Sequence, residues 1–68
     1  MTNSNFKKAA KEEKNFNILS IKKIAEKGNK GFLITYSKQL SDTTVSAEIE
    51  KEFWNKSLED IATEFIYN

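Results

Sequence analysis

The segment FLITYSK, residues 32–38, has an alternation that is typical of a β-strand. Phe32, Ile34 and Tyr36 fall on one side, and Leu33 lies between the first two. Aromatic and β-branched residues, which favour strands, dominate the segment. Because Leu33 adds apolar character to the second side as well, the pattern places this strand in the middle of a sheet.

The preceding segment, FNILSIKKIAEK at residues 16–27, fits two interpretations. As a helix it would gather three isoleucines on one side, and Gly28 could end it. As a strand it is rich in isoleucine, and it would lead through a short glycine-containing connection into the strand that follows. We favour the strand, and the helix stays open as the alternative.

Two further segments complete the predicted domain. Residues 44–53, TVSAEIEKEF, alternate apolar residues with glutamates and predict a third strand, although the glutamates also suit a helix. Apolar residues at helical spacing then predict a C-terminal amphipathic helix from about 58 to 67. Ser57 precedes it as the N-cap, and Glu59 and Asp60 lie in the first turn, where the helix dipole favours acids. The apolar sides of the two segments consist of Val45, Ala47, Ile49, Phe53, Leu58, Ile61, Ala62, Phe65 and Ile66.

Residues 1–15 are polar and lysine-rich, and they predict either a basic arm or a short helix. Their apolar residues have helical spacing, but only Phe6 is large. Residues 16–68 form one domain, for which the order of segments predicts an α+β fold: a three-stranded antiparallel meander with the C-terminal helix against it. With a helical 16–27 segment, the order would instead be helix, β-hairpin, helix.

Composition argues against catalysis. The 68 residues contain no histidine and no cysteine. The chain therefore lacks the usual general base near neutral pH, the commonest metal ligand and any thiol nucleophile. Glu48, Glu50 and Glu52 are candidates for a metal site, but on a strand they form a solvated face more simply. We expect no enzymatic activity, no cofactor and no small-molecule substrate.

The chain also lacks the signals of export and membrane insertion. Its N-terminal stretch, MTNSNFKKAAKEEK, has no apolar core of the kind found in secretory signals. No apolar run approaches the roughly 20 residues that span a bilayer. We expect a cytoplasmic protein that has no membrane partner.

The only two glycines enclose the sequence Gly28-Asn29-Lys30-Gly31. A P-loop needs a longer spacing followed by Lys and Ser or Thr, and that spacing is absent. The Gly-x-x-Gly loop of KH modules joins two helices, whereas a strand follows here. We interpret this stretch as a tight connection whose glycines supply positive φ angles.

Charge is distributed unevenly along the chain. Residues 1–38 hold nine lysines against three glutamates, a net charge of +6, whereas residues 39–68 have a net charge of −5. All the basic residues are lysines, which attract phosphate without reading sequence well. One hypothesis is therefore a nucleic-acid-binding protein. Its phosphate contacts would be Lys7, Lys8, Lys11, Lys14, Lys22, Lys23, Lys27 and Lys30.

The hypothesis that we prefer is a non-enzymatic protein-binding module. It would act by docking, as a small inhibitor, adaptor or regulator or as a homodimer, because the chain has more bulky apolar side chains than a thin core can hide. Tryptophan and tyrosine are enriched at binding hot spots, although Trp54 would also suit the corner between the sheet and the helix. The candidate partner-binding residues are Phe53, Trp54, Phe65 and Tyr67.

Overall fold

The computed structural model describes residues 3–67 and confirms the predicted α+β architecture. Its three strands form one antiparallel sheet in the order β1-β2-β3, so that the predicted central strand is indeed central. Residues 16–26 form a strand, so the strand interpretation of this segment is confirmed up to Glu26; residues 3–14 form a helix, and residues 1 and 2 lie outside the described range. The elements are α1 (Asn3–Lys14), β1 (Phe16–Glu26), β2 (Asn29–Lys38), β3 (Ile49–Trp54) and α2 (Leu58–Phe65).

Both helices contribute to a single core on one face of the sheet. Phe6 and Ala10 of α1 are fully buried, and so is Ile61 of α2. They join Ile34 and Phe53, which come from β2 and β3. Within residues 3–67, neither helix is both long enough and apolar enough to cross a membrane.

Phe65 of α2 links all the other elements through aromatic contacts. Its ring centroid lies 6.3 Å from that of Phe6 in α1 and 5.1 Å from that of Phe16 in β1. Tyr36 in β2 and Phe53 in β3 meet it edge-on, at 5.0 and 5.6 Å. Such ring pairs stabilise beyond the area that they bury, so Phe65 fixes how the two layers sit on each other.

A β-bulge in β1 explains why the sequence of this strand is ambiguous. Ile18 pairs with Tyr36, but Thr35 pairs with Ser20, so Leu19 is the extra residue. A bulge reverses the side of every residue that follows it. The strand therefore directs Ile18 and then Ile21, three positions later, toward the same core.

The predicted strand over residues 44–53 is shorter than expected. The β3 strand begins at Ile49, and Val45 forms only an isolated bridge with Gln39. The prediction that Val45 continues the apolar side is wrong, because its side chain is 53% exposed. The ladder is interrupted by Ser46, whose Oγ accepts a hydrogen bond of 2.8 Å from the backbone N–H of Lys38. Ala47 is exposed as well.

Residues with left-handed backbone angles make the sharp connections. Asn15, with φ 58°, joins α1 to β1, and Asn55, with φ 57°, follows β3. Lys27 and Gly28 form a two-residue hairpin turn with φ of 50° and 82°, as in type I′ turns. The turn interpretation of Gly28 is thus confirmed. The prediction that Gly31 also supplies a positive φ angle is wrong, because its φ is not positive and the residue lies within β2.

We expect Phe65→Ala to lower the free energy of unfolding by about 3–5 kcal/mol, since it removes four ring contacts and leaves a cavity. Domains of this size have a stability of only about 5 kcal/mol, so much of the protein would unfold. Chemical denaturation followed by circular dichroism measures the change. Tyr67→Ala is the matched control, since Tyr67 is 55% exposed, and its effect should stay within about 0.5 kcal/mol. Equal losses from both variants would contradict the role of Phe65.

We expect Lys27→Asn to raise the free energy of unfolding by up to about 1 kcal/mol. Lysine is strained at positive φ, whereas Asn-Gly is the preferred pair in this turn. Thermal and urea denaturation of the variant and the wild type give the difference. Lys30→Asn, outside the turn, should give no gain, and a gain of the same size there would show that the turn geometry is not the cause.

Candidate protein-binding surface

The second face of the sheet, called the open face below, carries a row of apolar side chains outside the core. None of the elements between residues 3 and 67 covers it, since both helices lie on the other side. Alternation along the strands directs Ile24, Leu33 and Trp54 toward it. Each of the three is partly buried by its neighbours, yet none belongs to the core cluster. The face therefore carries apolar side chains that are partly accessible to solvent.

Trp54 lies against the backbone of Gly31, its partner in the neighbouring strand. A Cβ atom at Gly31 would come within 3.0 Å of the Trp54 ring atom Cε3 and within 2.3 Å of the Phe53 carbonyl oxygen. Gly31 is thus needed for close approach of strand and indole ring. The ring packs closely against β2, and Glu26 and Asn29 line a small hollow beside it.

Opposite charges flank the apolar row of the open face. Across the sheet, Leu33 pairs with Lys22 on one side and with Glu52 on the other. Glu50 follows on β3, opposite Thr35. These three charged side chains are exposed, and within residues 3–67 no group of acidic side chains is arranged to hold a metal ion. The Leu33 row is thus positive on β1 and negative on β3, whereas Glu26 adds a negative charge to β1 at the hairpin end of the face.

A polar network closes the far end of the open face. Asn17 donates through Nδ2 to Ser37 Oγ at 3.5 Å and to Gln39 Oε1 at 3.1 Å. Its Oδ1 accepts from Lys11 Nζ of α1 at 3.2 Å. Because this end of the face is occupied by polar side chains, the apolar side chains of the face lie toward the end that contains Trp54.

The four predicted partner-binding residues do not form one patch. Phe53 is 5% exposed and lies in the core, where no partner can reach it. Phe65 is partly buried, with its ring among the four other rings of the core. Trp54 lies on the open face, and Tyr67 is exposed just beyond the end of α2. Trp54 and Tyr67 therefore remain candidates for contact with a partner.

The predicted phosphate-binding lysines are all exposed, but they occupy several distinct surfaces. Four lie on α1, Lys22 lies on the open face, and Lys27 lies at the hairpin tip. Lys23 and Lys30 border a groove of about 600 Å³, whose lining includes Phe32 and also Ile24 and Gly31 of the open face. Lys56 completes its rim but is paired with Glu64. This groove could attract an anion.

Ile24 and Leu33 were not among the candidate partner-binding residues predicted from the sequence. The signal for Leu33 was present, since it gave the central strand a second apolar side. Ile24 was hidden, because the bulge at Leu19 shifts the alternation before this residue is reached. Comparison of the chain with protein-family models, with curated proteins and with solved structures gives no match.

We expect Gly31→Ala to lower the free energy of unfolding by about 1–3 kcal/mol, because its new methyl group would collide with the carbonyl oxygen of Phe53. The displaced indole should also emit at longer wavelength, and the chain has a single tryptophan, so the fluorescence spectrum reports on this site. Lys30→Ala is the control next to it. Unchanged stability and emission in Gly31→Ala would contradict the close approach.

Proposed function

We propose that this chain is a non-enzymatic protein-binding module that docks onto a partner through the open face of its sheet. The observation that carries the proposal is the placement of Ile24, Leu33 and Trp54 on a face that neither helix covers. Apolar surface of this kind, bordered by charge, marks interaction sites on small proteins. An inhibitor, adaptor or regulator would use such a face.

Two features of the open face support binding to protein rather than to nucleic acid. Its border carries both Lys22 and the acidic pair Glu50 and Glu52, and carboxylates repel phosphate. Its largest side chain, Trp54, packs against the backbone of Gly31, and a side chain that is already packed loses less conformational freedom when a partner covers it. A preordered tryptophan inside a charged border is typical of a binding hot spot.

Affinity capture from cells of the source organism tests the proposal with a matched pair of variants. Leu33→Lys places a charge at the centre of the open face, whereas Leu40→Lys makes the same change in the β2–β3 connection, where Leu40 is 63% exposed. We expect the wild type and Leu40→Lys to retain one specific protein. An untagged copy of this chain would also count as that protein. Leu33→Lys should lose it, because burying an unpaired charge at an interface costs several kcal/mol.

Circular dichroism checks that the variants keep their fold. If Leu33→Lys does not fold, Thr35→Lys, which is also on the open face, takes its place in the assay. Equal retention by all variants, or no retained protein, would contradict the proposal. Labelled DNA and RNA are titrated in parallel. Binding that weakens by about 0.7–0.9 log units per phosphate contact for each tenfold rise in salt would instead favour the nucleic-acid hypothesis.

A further inference from the structure

The open face is self-complementary across the width of the sheet. Strand register places its residues in three rows that each run from β1 through β2 to β3. Each row therefore has one residue on each side of the central strand β2. The rows are Ile24–Gly31–Trp54, Lys22–Leu33–Glu52 and Ser20–Thr35–Glu50.

We propose that the partner of the open face is a second copy of this chain, bound face to face about a two-fold axis that runs parallel to β2. This inference rests on the proposed function. Packed sheets lie about 10 Å apart with strands aligned within about 30°. A two-fold axis along β2 keeps each row in register but places β1 of one copy over β3 of the other.

Charge selects this arrangement over its alternative. With the axis along β2, Lys22 of each copy faces Glu52 of the other, so that two opposite-charge pairs form. With a two-fold axis perpendicular to the strands, β1 would lie over β1, and Lys22 would approach its own equivalent. Like charges that face each other are destabilising. The opposite charges of Lys22 and Glu52 at the two ends of the Leu33 row thus favour one orientation.

The apolar rows match in the same orientation. Leu33 faces Leu33 of the second copy at the centre. In the first row, Ile24 lies over the backbone position of Trp54 in β3, and the two indole rings, which pack over Gly31, meet near the axis. Gly31 has no side chain, so the middle of the first row leaves space for the indole ring that lies across it. An isologous contact of this kind closes on itself as a dimer and leaves no open face for further copies.

The dimer is expected to be weak and reversible. Three strands spaced about 4.8 Å apart make a face only about 15 Å wide, so the buried area falls below the roughly 1,200 Å² of standard-size interfaces, in the range of weak, transient contacts. We therefore expect a Kd in the roughly micromolar range. A reversible self-association of this strength would let protein concentration set how many open faces are free.

Charge reversal of the full chain tests the inference by analytical ultracentrifugation at low ionic strength. The wild type should dimerise with concentration. Lys22→Glu and Glu52→Lys, each alone, should raise the Kd at least about tenfold, because each introduces two like-charge contacts. An equimolar mixture of the two variants should dimerise again, since both cross-pairs then have opposite charge. Native mass spectrometry with one variant isotope-labelled identifies the mixed dimer.

Lys23→Glu is the matched control, since it makes the same charge change one residue along β1, on the other face. It should leave the Kd within about twofold of the wild type. A wild type that stays monomeric up to roughly millimolar concentration, far above the expected Kd, would overturn the inference. The inference also fails if the mixture dimerises no better than its components, or if Lys23→Glu weakens the dimer as much as Lys22→Glu.

The two proposals can fail separately. If the wild type is monomeric while Leu33→Lys still loses a different captured protein, the second-copy inference is overturned and the proposed function stands. If the chain dimerises but neither Leu33→Lys nor the charge reversals affect the dimer, the contact lies elsewhere and the second-copy inference is again overturned. The capture assay then decides the proposed function by itself.

Discussion

The fold depends on the ring of Phe65. A domain of this size buries a smaller share of its surface than a larger one does, and here a single side chain meets one aromatic ring from each of the other four elements. Lys51 lies over the same cluster, 5.6 Å from the Phe65 ring centroid, and shields its outer edge. The helix that carries Phe65 begins at a well-formed cap, in which Ser57 Oγ accepts from the Asp60 N–H at 3.2 Å. Cap and ring together hold α2 against the sheet.

This concentration of contacts on one side leaves the sheet with an uncovered face. The links between α1 and β1 and between β1 and β2 are too short for a helix to cross to the opposite side. The single residue Asn15 reverses the chain after α1, and its carbonyl oxygen accepts from the Gln39 N–H at 2.8 Å. A short chain with two helices can therefore cover one face only. The apolar side chains on the other face need water-excluding contacts from outside the chain or remain partly solvated, which is the physical basis for assigning a docking role.

Sequence patterns predicted those elements in which local preference and tertiary packing agree. β2 alternates without interruption, and α2 has both a cap and an apolar stripe, so both were predicted. α1 remained undecided because its order depends on the stacking of Phe6 on Phe65, a contact that no local pattern reveals. The start of β3 was predicted too early. The Lys38 N–H donates to the hydroxyl oxygen of Ser46 instead of to a backbone carbonyl, which ends the regular ladder. The open face was not predicted for the same kind of reason: Lys22, Leu33 and Glu52 share a row only through strand register, and the register of β1 depends on the bulge.

The bulge has a further consequence for how this chain tolerates insertions and deletions. Without Leu19, residues 16–24 would alternate strictly between inward and outward positions, and every remaining side chain would keep its side. Losing a residue between Ser20 and Ile24 would instead turn part of the strand over and exchange core isoleucines for lysines. Homologous chains that are one residue shorter in β1 should therefore align with their gap at Leu19, which gives a structural criterion for recognising distant relatives by the position of the gap.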